Sequence, residues 1–373
     1  MTTSIWNDSV PLKLPRLVGE RSADACVIGL GGSGLAAVHA LLDGGADVIG
    51  LDAGEVAGGA AGSNGGFLLA GLAPFHHDAL ERFGPDRARR LYNLTLAELD
   101  RMAAETPELV RRTGSLRIAA SAEEQSDCER QFEAMRADGL PVEPYSGPEG
   151  NGLLIPSDGV YQPHRRARLL ASRALARGAR LFEHSAVTAF EEGRVTTLSG
   201  VVRCAAVLVL VDGRLEHLVP SLRERVRSAR LQMLATAPTT EVRQGRAVYR
   251  RWGYDYWQQL PDGRIALGGC RDVALESEWT ADSRPTTEVQ RALDGVLRDV
   301  LGVRQARVTH RWGATVGYTE SGLPVCEEHS PGVLVAGGYS GTGNVVGALC
   351  GRALAAHALG APDAVSMLRL LGD

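Results

Sequence analysis

The sequence predicts an α/β protein, with a Rossmann-like nucleotide-binding domain and a second, discontinuous α+β domain built on an antiparallel sheet. Three observations carry this expectation. A glycine-rich turn, Gly29-Leu30-Gly31-Gly32-Ser33-Gly34, lies between an apolar run and a helical stretch free of proline. An acid, Asp52, ends the next apolar run, 18 residues beyond Gly34. From about residue 227 the texture changes to alternating segments rich in aromatic residues. Gly29 permits the tight turn off the first strand, Gly31 lets the backbone approach a pyrophosphate, and Gly34 lets the helix pack closely on the sheet. A diphosphate then sits on the positive end of that helix. Asp52 is placed to accept hydrogen bonds from ribose hydroxyls, and its charge disfavours a 2′-phosphate and hence NADP. The competing reading is a glycine turn in an ordinary α/β domain; strand, helix and acid in the right order weigh against it.

At 373 residues the chain is long enough for two joined domains. Its net charge of −4, from 40 basic and 44 acidic residues, offers no basic field to hold nucleic acid or an anionic membrane. Residues 1–22 contain Pro11 and Pro15 but no apolar core, so they read as an N-terminal extension and not a signal peptide. The longest apolar run, Cys204 to Val211, is too short to cross a bilayer. Six scattered cysteines, Cys26, Cys128, Cys204, Cys270, Cys326 and Cys350, form no C-x-x-C pair, the pattern of reduced thiols, and a cytoplasmic protein is expected. His76-His77 and the other histidines lack ligand spacing, so no metal is expected.

After the first strand-helix-strand unit, residues 58–66 read GGAAGSNGG, a second glycine loop able to offer backbone N–H groups. Helical spacing over 86–110 and 122–138 flanks a strand at Leu116 to Ala120. Pro163 opens a helix from His164 to Arg177, stopped by Gly178 and followed by a strand at Leu181 to Phe190 and a buried parallel strand at Cys204 to Val211. Segments Ala229 to Ala237, Ala247 to Gln259, Arg264 to Gly268 and Arg307 to Arg311 read as the antiparallel sheet. A helix at Thr287 to Leu301, opened by a capping box Thr287-x-x-Gln290, is inserted among them. The chain closes on a strand at Val333 to Ala336, a third glycine loop from Gly337 to Asn344, and an apolar helix from Val345 to Leu359 whose N-terminus can face an electron-rich group. The expected nucleotide-binding domain is therefore 23–85, 155–220 and 311–373, and the substrate domain 86–154 and 221–310.

Taken together these residues resemble the FAD-dependent amino acid and amine oxidoreductases of the D-amino acid oxidase type, the group of glycine oxidase, sarcosine oxidase and γ-glutamylputrescine oxidase. The resemblance rests on Gly29 to Gly34, on Ala60 to Gly66 (AAGSNGG, where the group has nearly A-S-G-R-N-G-G), on Trp312 with Leu323-Pro324-Val325, and on Gly338 to Gly343. It implies noncovalent FAD in a Rossmann-like FAD-binding domain. Gly29, Gly31, Gly32, Ser33 and Gly34 would hold the diphosphate, Asp52 and Ala53 the ribose, and the Val187 backbone the adenine. Gly62, Ser63, Asn64, Gly65 and Gly66 would lie in the second loop and Gly338, Ser340, Gly341, Thr342, Gly343 and Asn344 at the flavin's pyrimidine end. Two positions depart from the motif: Ala61 replaces its serine and Ser63 its arginine. Where relatives attach flavin covalently, Asn64 and Val316 stand, and neither can form that bond.

On the substrate side the resemblance implies a pocket with Trp252, Tyr254, Tyr256, Trp312, Tyr339 and Thr342. On one strand Trp252, Tyr254 and Tyr256 would share a face, although cross-strand packing accounts equally for any single ring. The relatives' carboxylate anchors fall on Val316 and Val345, and the arginines after their second loop fall near Leu68 and Gly71. These replacements argue for a substrate that presents an amine, unless Arg250, Arg251, Arg271 or Arg311 anchors an acid. The implied reaction moves hydride from the carbon bearing a neutral amine to flavin N5, giving an imine that hydrolyses. It needs positioning and desolvation, and no acid or base residue is nominated. The strand Arg264-Ile265-Ala266-Leu267 lacks the lysine with which sarcosine oxidases promote reaction with oxygen, so the acceptor is oxygen or another molecule. Two readings from other classes stay open: a nicotinamide-linked dehydrogenase, which needs only the first glycine turn, and a catalytically silent nucleotide-binding protein.

Overall fold

A computed structural model of the protein describes residues 4–8 and 10–373. The chain divides into two units. The described parts of Asp8–Gly62, Pro163–Ser228 and Val316–Asp373 form what we call the nucleotide unit; those of Met1–Asn7, Ser63–Gln162 and Ala229–Thr315 form the sheet unit. Residues 63–85 and 155–162, expected with the nucleotide domain, thus lie in the sheet unit, where Phe67–Leu68 pairs with Gly159–Tyr161.

In the nucleotide unit, strand Gly19–Ile28 runs parallel to Val48–Leu51 on one side and to Gly200–Val209 on the other. Arg180–Phe182 extends the parallel sheet beyond Val48–Leu51, and Val333–Gly337 pairs in parallel with Gly200–Val209. Continuous Val, Ile and Leu runs make such strands because both faces are buried; Val27, Ile49, Leu51, Val207, Leu208 and Val209 are fully enclosed. Val187–Glu191 and Arg194–Thr197 form an antiparallel arm on the far edge. The strand expected from Leu181 to Phe190 is therefore two strands, because His184 takes a left-handed conformation (φ 50°) between them. Helices Gly32–Asp43 and Val346–Ala358 pack so closely that a Cβ on Gly351 would overlap the Ser33 carbonyl oxygen.

The sheet unit is built on eight strands in the order Val308–Tyr318, Arg227–Thr236, Ile265–Gly269, Asp255–Gln259, Ala247–Arg250, Ser115–Ile118, Gly150–Ile155 and Glu143–Gly147. The sheet is mixed, not wholly antiparallel: Ala247–Arg250 runs parallel to Ser115–Ile118, two strands far apart in sequence that no hairpin joins. The run from Ala247 to Gln259, expected as one strand, is a hairpin. Arg251, Trp252 and Gly253 are all left-handed (φ 52°, 50° and 88°), and the turn is held from outside. Asp255 accepts from Arg250 and Arg251, and Glu124 Oε1 accepts from the Trp252 N–H at 2.7 Å. The expected capping box does not form. Thr286 precedes helix Thr287–Gly295, and Gln290 turns away to donate to Gln232 Oε1.

Asp158 is wholly buried in this unit, accepting from the Ala70 N–H at 2.8 Å and the Ser115 hydroxyl at 2.6 Å. Burial pushes its carboxyl up to about 6 despite those bonds and the nearby Arg117 charge. An acid raised on folding stays protonated in the native chain while the unfolded chain has ionised, so its ionisation costs stability as pH climbs from about 4 through 6. Asp158→Asn, which cannot ionise, should match the parent near pH 4 and exceed it by up to about 3 kcal/mol above pH 7. Urea unfolding at both pH values reads the difference, and a gap independent of pH would contradict the burial argument.

Candidate functional site

The first glycine turn fits an anion. A Cβ on Gly34 would overlap the Gly29 carbonyl oxygen, and one on Gly29, itself at φ 97°, would press on the Leu210 carbonyl, so strand and helix meet where only glycine fits. Helix Gly32–Asp43 has no side-chain cap and no acid in its first turn. Its leading N–H groups therefore have no partner within the helix, an arrangement that suits an anion such as a diphosphate. Asp52 stands beside this turn: Oδ2 accepts from the Leu30 N–H at 2.9 Å and Oδ1 from the Gly54 N–H at 2.8 Å. Burial raises its carboxyl above the usual range in spite of both bonds. The Ser185 N–H donates to the Asp52 carbonyl at 2.7 Å, which brings the chain just before Val187 against the strand end that carries Asp52 and Ala53.

The third loop is held from below by a residue that sequence reasoning missed. Asp212 follows the buried strand, and its Oδ1 accepts from the N–H groups of Gly338 and Tyr339, both at 3.0 Å. Its only sequence signal is an acid followed by glycine just after the longest apolar run. Ser340 N–H bonds the Gly317 carbonyl, and the Thr342 hydroxyl donates to the Tyr339 carbonyl at 2.7 Å. Tyr339, expected to touch substrate, instead packs its buried ring against Gly343 and Gly347. Among the described residues the N–H groups of Gly341 and Gly343 have no partner, and helix Val346–Ala358 begins without a side-chain cap or an acid. The uncapped helix start contributes partial positive charge from its backbone at this end of the nucleotide unit.

The second loop enters the sheet unit at Ser63, and its carbonyls are taken by side-chain donors. Trp312 Nε1 donates to the Ser63 carbonyl at 2.7 Å, Trp6 Nε1 to that of Asn64 at 2.6 Å, and Gln258 Nε2 to that of Gly65 at 2.6 Å. Asn64 Oδ1 accepts from the Gly66 N–H, and the Gly66 carbonyl accepts from the Tyr161 N–H. With its carbonyls engaged, the loop keeps a Gly65 N–H with no partner among the described residues. Gly62, at the end of the nucleotide unit's segment, has no room for a Cβ beside the Ala57 carbonyl and the His164 ring. Trp312 is thus a buried loop support; Trp6 and Gln258 play the same part and gave no motif to find them by.

The shared strand face expected of Trp252, Tyr254 and Tyr256 does not form. Trp252 sits on the hairpin turn, 46% exposed, with Nε1 donating to Asp127 Oδ2, and Tyr254 follows it in the turn. Tyr256 alone of the three lies on a strand, its ring stacked on Tyr249 and edge-on to Phe67. The four arginines offered as anchors are engaged elsewhere. Arg250 and Arg251 pair with Asp255, Arg251 also pairs with Asp272, Arg311 pairs with Asp294, and Arg271 lies over the Trp279 ring.

Uncapped helix starts, glycines that no side chain can replace, and loop N–H groups left unpaired fit a dinucleotide such as FAD. The model of the FAD dependent oxidoreductase family matches residues 24–357. The chain belongs to that family. This FAD-dependent oxidoreductase is 28% identical to a probable oxidoreductase, OrdL, of Rhizobium meliloti, over 96% of its own length and 88% of that protein. It is 26% identical to a gamma-glutamylputrescine oxidoreductase of Escherichia coli, over 90% of this chain and 83% of that one. The glycine oxidase of Geobacillus kaustophilus has a similar fold, with a TM-score of 0.75 at 22% identity, covering 90% of this chain and 94% of that one.

Asp52→Asn leaves one oxygen where two accept, and it sets an NH2 group against a backbone N–H. The variant should bind FAD about 1 to 3 kcal/mol more weakly. Fluorescence titration of the apoprotein with FAD measures this, and unchanged affinity would reduce Asp52 to a strand-end cap.

Proposed function

We propose that this oxidoreductase removes hydride from the carbon bearing a neutral amine, in an amine or amino acid, and releases an imine that water hydrolyses. What carries the reading is the near full-length likeness to a relative named for γ-glutamylputrescine, a carbon–nitrogen donor. FAD, held noncovalently, supplies the hydride acceptor at N5. Noncovalent binding is supported by Asn64 and Val316 at the positions where relatives attach flavin. The chain's own work is positioning. Asp212 fixes the third loop, Trp312, Trp6 and Gln258 fix the second, and the N–H groups these contacts leave unpaired favour negative charge on whatever they face. Tyr256, flanked by Tyr249 and Phe67, offers a flat apolar surface to a substrate. All six cysteines are buried free thiols, which supports a reducing, cytoplasmic location.

An anaerobic screen of amines, D- and L-amino acids, N-methylamino acids and γ-glutamyl polyamines for loss of the flavin's visible absorption tests the reading, because bleaching reports hydride transfer whatever the later acceptor. At least one carbon–nitrogen donor should bleach the flavin. Bleaching only by alcohols, 2-hydroxy acids or NADH would overturn the proposal. Acid precipitation should leave the yellow colour in the supernatant; colour in the pellet would contradict noncovalent binding.

A further inference from the structure

One row of side chains crosses the sheet unit. Arg117, on Ser115–Ile118, lies directly opposite Tyr249, Tyr249 lies opposite Tyr256, and Tyr256 lies opposite Gly268. Directly paired residues project to the same face of a sheet, so Arg117, Tyr249 and Tyr256 stand side by side. Gly268 makes the row possible, because a Cβ there would overlap the Tyr256 ring. The two tyrosine rings stack with centroids 6.4 Å apart at 26°. The Arg117 guanidinium carbon lies 5.7 Å from the Tyr249 centroid and 5.1 Å from that of Phe75.

Ring faces orient a guanidinium without using its N–H donors. Among the described residues the Arg117 guanidinium makes no hydrogen bond and no ion pair, and the Tyr249 hydroxyl makes no hydrogen bond. This sets Arg117 apart from the other arginines of its unit that are at least half-buried. Arg230 is locked to Glu278, Arg251 to Asp255 and Asp272, and Arg311 to Asp294. The buried acid that feels its charge, Asp158, accepts from Ala70 and Ser115 instead. Arg117 also lines a small recess with Leu72, Pro74, His76, Tyr92 and Gln131. A half-buried planar fork, held between two rings with its donors unspent, is the arrangement of a carboxylate receptor.

We propose that Arg117 binds a carboxylate carried by the amine substrate, with the Tyr249 hydroxyl as a second donor, so that the substrate class is an aminocarboxylate and not a plain amine. The inference rests on the oxidoreductase reading, and it places the anchor away from positions 316 and 345, where valines stand.

Two measurements on the FAD-loaded protein test it. Calorimetric titration with butyrate, and with its neutral counterpart butyramide, reads the anion site without turnover. Anaerobic bleaching by 4-aminobutanoate and 5-aminopentanoate, against butylamine and pentylamine, reads its part in substrate choice. In Arg117→Met, butyrate should bind roughly 10- to 100-fold more weakly and the preference for aminocarboxylates over alkylamines should vanish, while the FAD content stays unchanged. Arg117→Lys should retain part of both, and Tyr249→Phe should weaken butyrate more than butyramide. Butyrate binding that is absent from the parent, or equal in parent and Arg117→Met, would overturn the anion site even if amines bleach the flavin. Arg117-dependent butyrate binding with no bleaching by any carbon–nitrogen donor would instead overturn the oxidoreductase reading and leave the anion site standing.

Discussion

The nucleotide unit depends on one close approach, the start of helix Gly32–Asp43 against the turn that leaves strand Gly19–Ile28. Gly34 lies where any side chain would overlap the Gly29 carbonyl, and Gly29 lies where any side chain would press on the Leu210 carbonyl. Only with both glycines present does the first helical turn come down onto the sheet with its N–H groups pointing out and uncapped. Asp52 then ties Leu30 to the end of the neighbouring strand, which fixes the turn without consuming the helix N–H groups. Those groups stay available to an anion at the helix start.

A similar economy recurs at the other two glycine loops. In each, side chains are spent on holding the loop in place, while selected N–H groups remain without a partner among the described residues. Asp212 anchors the third loop through Gly338 and Tyr339 and leaves Gly341 and Gly343 unpaired. Trp312, Trp6 and Gln258 take three successive carbonyls of the second loop and leave Gly65 unpaired. Two indoles and an amide are suited to this because each offers an N–H donor that does not titrate with pH.

The nucleotide unit was largely legible in the sequence, because its parallel strands are continuous apolar runs and its turns need glycines at fixed spacing. The helices at Pro85–Glu105, Ala122–Ala137 and Pro163–Ala176 also lie where their apolar periodicity puts them. The sheet unit was less legible for physical reasons. The turn at Arg251 to Gly253 is made by three left-handed residues, two of them not glycine, and it is held by Asp255 and Glu124, so no local signal separated one strand from two. The parallel pairing of Ala247–Arg250 with Ser115–Ile118 is a long-range contact that no periodicity encodes. Gln290 had the spacing of a capping box, but tertiary bonding to Gln232 won. Among the site residues, the glycines were found because their backbone role is local. Asp212, Gln258 and Trp6 were missed because each acts on a segment remote in sequence, and Trp252 was misplaced with its strand.

The central claim is that the backbone around Gly29 to Gly34 binds the diphosphate of FAD. It is tested most directly by the visible absorption of the purified protein beside Gly34→Val, each titrated with FAD after removal of bound cofactor. The parent should take up FAD and show bands near roughly 370 and 450 nm, the ordinary flavin positions, while the variant, folded by circular dichroism, should stay colourless at the same FAD concentration. A folded parent that binds no FAD, or a Gly34→Val protein that binds it as tightly as the parent, would contradict the account.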